Sequence, residues 1–132
     1  MRQAAAKQGD RIVAVDTHIV FVPVGSSLVP TPLLHEFAGV INGALSANVN
    51  IMKKPAATLD STAVNQPAHL PTLPGQSFQH PPANRGKIVR GSATVFINGK
   101  AAARNADLAE TCNDPKDRPV GKVVAVGSVM IG

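Results

Sequence analysis

Short β-branched runs enclosed by glycine recur along this chain: Gly39-Val40-Ile41-x-Gly43, Gly86-Lys87-Ile88-Val89-Arg90-Gly91-Ser92 and Gly121-Lys122-Val123-Val124-Ala125-Val126-Gly127-Ser128. Each leads into a segment whose apolar residues fall on every second position: Asn48-Val49-Asn50-Ile51, Thr94-Val95-Phe96-Ile97 and Ser128-Val129-Met130-Ile131. A period of two is that of a strand with one face buried, and the glycines punctuate it as turns. The pattern predicts three strand-turn-strand units. Asn98-Gly99 predicts a two-residue turn, because both residues tolerate positive φ, and Lys100 then opens a returning strand. The third unit reaches Gly132 before any Lys-x-Ala-Ala continuation, so its last strand is expected to pair with the rest of the chain. Between the units, Pro23 to Phe37 and Pro67 to Asn84 read as long irregular loops, which compact domains keep where they serve a site or cover a surface. A short helix would fit in 33–40 or 108–112 without changing this β-rich reading.

Two of the units repeat one another. Val49-x-Ile51-x-x-Lys54-x-Ala56-Ala57 recurs as Val95-x-Ile97-x-x-Lys100-x-Ala102-Ala103, every residue displaced by 46 positions, with Asp60 after the first copy and Asp107 after the second. One structural unit is therefore built more than once.

Composition narrows the class further. The 132 residues suit a single domain, 1–132. Hydrophobic residues are 44% of the chain but aromatics only 3%, with no Trp or Tyr, so the core is expected to be thin and made of Ala, Val, Leu and Ile. Eleven Gly and eleven Pro oppose long helices. So small a core calls for a staple; a single Cys excludes an internal disulfide, which leaves a metal or a partner chain. No apolar run approaches a membrane span or a signal peptide, so synthesis in the cytoplasm without a leader is expected. The net charge of +5 would permit nucleic-acid contact through Arg85, Lys87, Arg90, Lys100 and Arg104. Only Phe96 is interleaved among them as a stacking platform, so the basic stretch reads as a solvated or protein-facing rim and no nucleic-acid partner is expected.

The metal reading rests on His18, His69, His80 and Cys112, which occupy comparable places around the repeated units and the proline-rich loop. Imidazole and thiolate are the ligands zinc prefers in closed tetrahedral sites. Their wide spacing fits no local zinc-finger pattern, so the argument is one of convergence in space. His35 is the spare histidine, an alternative ligand or a packing residue beside Leu34 and Phe37.

Gly91-Ser92-Ala93-Thr94-Val95-Phe96-Ile97-Asn98-Gly99-Lys100-Ala101-Ala102-Ala103-Arg104, followed by Asp107 and Cys112, resembles the signature of PAAR-repeat proteins, the sharpened tips of contractile injection systems such as type VI secretion machines and phage-tail-like particles. The second copy has Ala101 for the proline; the first keeps Pro55-Ala56-Ala57 but has Thr58 for the arginine. Gly9-Asp10 resembles the family's opening and Val129-Met130-Ile131-Gly132 its closing strand. The resemblance implies a small, mainly β cone of short hairpins with pseudo-threefold symmetry and long Pro/Gly-rich loops. Its base would sit on a trimeric β-helical spike protein, one tip per trimer. One structural zinc near the vertex would be held by three His and one Cys, carried over as His18, His69, His80 and Cys112, with His35 as the substitute for the early histidine. It also implies assembly on an injection particle, contact with a target membrane during puncture and, in some cases, effector cargo.

Two other classes compete. A zinc-binding adaptor linking cargo to a spike would share the metal site. A Cys/His hydrolase would pair Cys112, or a His with Asp16, as nucleophile and base. No Gly-x-Ser-x-Gly, His-Glu-x-x-His or phosphate loop supports catalysis, and a closed four-ligand zinc leaves no position for a reacting water, so the chain is expected not to be an enzyme.

Overall fold

The computed structural model describes residues 2–132, which form thirteen strands and, among these residues, no helix. They are β1 (Gln3–Ala4), β2 (Arg11–Val24), β3 (Ser27–Gly43), β4 (Asn50–Ile51), β5 (Lys54–Pro55), β6 (Thr62–Asn65), β7 (Ser77–Phe78), β8 (Arg85–Ile88), β9 (Phe96–Ile97), β10 (Lys100–Ala101), β11 (Leu108–Thr111), β12 (Arg118–Val124) and β13 (Met130–Ile131). Three antiparallel pairs, β2–β3, β6–β8 and β11–β12, join edge to edge through β3–β6, β8–β11 and β12–β2. The six strands thus close into a ring, within which every strand has a neighbour on both sides, while the part of β3 before Gly39 extends beyond it with one edge open.

Below the ring lie three two-residue ladders, β4–β5, β9–β10 and β13–β1. The turn at Asn98-Gly99 has φ of +53° and +77°, as the sequence requires, and Met52-Lys53 adopts the same left-handed pair at +51° and +70°. β13 pairs with β1, Gln3 opposite Ile131. The unit ending at Gly132 is therefore completed by the N-terminal segment, and a third copy of the repeat exists: Ala4-Ala5-Ala6-Lys7 stands where Pro55-Ala56-Ala57-Thr58 and Ala101-Ala102-Ala103-Arg104 stand in the other two.

Hydrogen bonding makes this equivalence explicit. The Ala6 amide donates to the Ala103 carbonyl (2.9 Å), Ala103 to Ala57 (3.1 Å) and Ala57 to Ala6 (3.0 Å), a closed cycle around one axis. All three alanines are fully buried. A larger side chain at any of them would hold the other two backbones apart, which is why the repeat ends in Ala-Ala. Each copy is then capped three residues on: the backbone N–H of Lys7, Thr58 and Arg104 donates to the side chain of Asp10, Ser61 and Asp107.

Four expectations are corrected. Gly39, Gly86 and Gly121 are not turns but equivalent, inward-facing strand positions. A Cβ on Gly39 would lie 2.7 Å from the Phe37 ring, and one on Gly86 3.3 Å from it, so two of these glycines make room for the one large side chain at the centre of the ring. The stretch from Pro23 to Phe37 is the end of β2, a turn and most of β3, paired row by row from Arg11↔Val40 to Val24↔Ser27. Pro30 and Pro32 fit because this part of β3 pairs only with β2, and residues two apart both turn their N–H-less nitrogens to the open edge. The two segments allowed for short helices are strands, parts of β3 and β11. Finally, the second strand of each predicted unit does not fold back on the run before it: β4 pairs with β5, β9 with β10, and β13 with β1 at the N-terminus.

The ring interior is layered. Ile12, Ile41, Ala63, Ile88, Ala109 and Val123 fill the level above the alanines, and Phe37 fills the next. β2 and β3 outrun the other hairpins, so above Phe37 their inner faces need cover from the loop between β6 and β8 and from β7, which pairs with Val20 and Phe21.

Candidate metal centre

On the inner face of β2 the apolar residues Ile12 and Ala14 give way to Asp16 and His18 before Val20 restores the apolar pattern. Burying two polar groups in succession is costly unless they meet partners. Here Asp16, His18, His69 and Cys112, all buried, bring one ligand atom each within 4.8 Å of one another, a group able to hold a metal ion. Cys112 Sγ lies 3.6 Å from His18 Nε2 and 3.6 Å from Asp16 Oδ2. His69 Nε2 is 2.8 Å from Asp16 Oδ2.

Three elements supply these groups. β2 carries Asp16 and His18 two residues apart, hence on one face. Cys112 follows β11, and its backbone N–H donates to the Arg85 carbonyl (3.2 Å), which ties it to β8. His69 lies in the loop after β6, its backbone N–H donating to Asn84 Oδ1 (2.8 Å). Phe37 is the floor, 6.0 Å between ring centroids from His69, and Phe78 of β7 is a lid, 5.9 Å from His18 and 5.4 Å from His35.

His18, His69 and Cys112 are thus brought together as expected from the sequence. His80 is not: it is exposed, beyond β7, outside the group. Its place is taken by Asp16, which the sequence suggests only as a hydrolase partner. A signal for it exists, since Asp16-x-His18 on a strand puts carboxylate and imidazole on one face, but only the buried side of β2 makes that signal meaningful.

His35 lies opposite Asp16 in the β2–β3 ladder and packs edge-on against His18 and His69, with centroids 5.4 and 5.6 Å away. Both of its nitrogens are engaged. Nδ1 is 2.9 Å from the Leu33 carbonyl, which can only accept, and Nε2 accepts from the Thr72 backbone N–H at 3.1 Å.

Burial shapes the electrostatics. Desolvation pushes the Cys112 thiol up to about 11, with the Asp16 carboxylate adding to the effect, so the free thiol is protonated and unreactive near neutral pH. Burial, reinforced by neighbouring His69, lowers His18, and burial lowers His35. At these two residues burial thus favours the neutral imidazole, the form that a metal requires.

A closed ring of hairpins around a threefold cycle of alanines, carrying a buried Asp-His-His-Cys group at the end away from that cycle, defines a β-hairpin cone with a metal-competent upper end. A family model described as the PAAR motif matches residues 34–110 and again 78–132. The chain belongs to this family. No curated protein matches it.

Proposed function

We propose that this protein is the tip of a contractile injection spike, seated by its base on the end of a trimeric spike protein. The observation that carries the reading is the cycle of Ala6, Ala57 and Ala103 hydrogen bonds, which gives a single chain a threefold base. A trimer ends in three equivalent chain ends, and one chain with three equivalent faces can cap them without mismatch. Phe96 and Met130 stand about half exposed on two of the base ladders, at 60% and 48%, and Met52, at 47%, on the turn of the third, where Asn50 occupies the equivalent strand position; each ladder thus offers an apolar contact to a spike chain. In the upper part, a metal held by the buried group would tie together segments that lack apolar mass, a structural role suited to a shape that must survive load.

The role is not enzymatic in this reading. Cys112 is buried and its thiol raised to about 11, the opposite of an activated nucleophile. The protein is made in the cytoplasm, joins the injection particle there and leaves with it, meeting the target membrane first. Zinc is the ion we assign to the site.

The partner is tested by mixing the chain with its trimeric spike protein and weighing the complex by native mass spectrometry. One chain per three spike chains is expected; a three-to-three complex, or none, overturns the reading.

A further inference from the structure

Asp16 is the least expected member of the buried group. Its carboxylate has no exposure, and among the described residues its only ion-pair partner is His69. No Lys or Arg reaches it. A carboxylate so placed is costly unless a cation compensates it, and the groups gathered around it are the Cys112 thiol and the imidazoles of His18 and His69. Its hydrogen bonds divide the two oxygens. Oδ1 accepts from the Thr111 hydroxyl and, at 3.4 Å, from Asn113 Nδ2. Oδ2 is turned instead to His69 and Cys112. One oxygen is anchored and the other is presented to the centre of the group.

His69 Nε2, 2.8 Å from Asp16 Oδ2, would exchange that hydrogen bond for a shared ion between the two atoms, and the other two members already stand at ligand spacing. A metal with a thiolate at about 2.3 Å and an imidazole at about 2.0–2.1 Å in tetrahedral geometry separates those two ligand atoms by about 3.6 Å. Cys112 Sγ and His18 Nε2 already stand 3.6 Å apart. His18 Nδ1 is buried without a hydrogen bond and faces Asp114 Oδ2 at 3.6 Å, so a small ring adjustment would pair these two and fix Nε2 as the inward, unprotonated nitrogen. His35, by contrast, would have to give up the Thr72 N–H to free its Nε2 lone pair.

We propose that Asp16 is a direct ligand, so that this chain holds one divalent metal through Asp16 Oδ2, His18 Nε2, His69 Nε2 and Cys112 Sγ, with His35 outside. This rests on the metal-bearing reading of the site given above. The Asp16 carboxylate and the Cys112 thiolate together balance the charge of one divalent ion. Thr111, Asn113 and Asp114 act as positioning residues, the first two on the carboxylate and the third on His18.

The test is cobalt(II) titration of the metal-free chain, followed by visible spectra, alongside X-ray absorption of the zinc-loaded protein. The wild type is expected to bind one cobalt with tetrahedral d–d bands and one thiolate charge-transfer band. Asp16→Asn should change the d–d bands and weaken binding by more than the roughly 10–100-fold that loss of an outer partner costs, while His35→Gln leaves the spectrum as in the wild type. The zinc edge of the wild type should show one sulfur and two imidazoles; this needs no variant and decides the matter even if Asp16→Asn does not fold. Three imidazoles at the edge, or a spectrum altered by His35→Gln and preserved in Asp16→Asn, would overturn the proposal while leaving the metal reading intact. No stoichiometric binding by the wild type would remove both.

Discussion

Ala106 adopts φ of +72°, in the place where the N-terminal copy of the repeat has Gly9 at +91° and the middle copy Asp60 at +74°. A left-handed conformation costs a non-glycine residue roughly 1–2 kcal/mol, partly offset by the greater chain entropy glycine loses on folding. Ala106→Gly is therefore expected to stabilise the protein by about 0.5–1 kcal/mol, read as a higher urea midpoint with unchanged slope. The reverse exchange at Gly39 should have the opposite sign. Its added methyl meets the buried Phe37 ring at 2.7 Å, and overpacking of this kind costs about 1–3 kcal/mol. Gly39 has no left-handed φ, so an unchanged urea midpoint in Gly39→Ala would show that the Phe37 ring yields to the methyl without cost. The role of Gly39 was not legible in the sequence. A glycine beside a β-branched run reads as a turn, and only the ring, which points Gly39, Gly86 and Gly121 inward, distinguishes the two uses.

At the scale of elements, β7 is the shortest way to learn what covers the site. Two residues long and paired only with β2, it holds Phe78 over His18 and His35. Phe78→Ala should leave the hairpin ring folded but open the metal centre to water and chelators. Release of zinc to a colorimetric chelator should accelerate at least about tenfold, the change that about 1.4 kcal/mol in the barrier produces; an unchanged rate would mean that the lid is elsewhere. The turn chemistry was readable here: Asn98-Gly99 specified its ladder through local backbone preference alone. The long hairpin was not, because prolines 23, 30 and 32 are strand-breaking by composition, and those of β3 are tolerated only on its open edge.

For the molecule as a whole, the lower and upper parts are stabilised differently. The lower part has the alanine cycle, the caps and the apolar layers up to Phe37; the upper part has long hairpin arms around polar groups. Removing the metal should lower the melting temperature by more than about 10 °C, since structural zinc sites contribute many kcal/mol and each kcal/mol is worth a few degrees in a chain of this size. Calorimetry with and without chelator checks this, with zinc added back to restore the transition. Identical melting temperatures would place the stability of the cone in its lower part alone.

Local periodicity and turn chemistry act over a few residues, and these features could be read directly from the chain: a β-rich body, repeated Ala-Ala steps and the Asn98-Gly99 turn; His18, His69, His80 and Cys112 are candidates by residue type alone. What the tertiary structure alone decided depends on distant segments meeting. The third repeat exists only because β13 pairs with β1. Asp16 enters the site because Cys112, 96 residues away, closes on it, and His80 leaves it because the loop carrying it turns outward. Such contacts are set by ring closure and by which strand face is buried, and no short-range pattern records either.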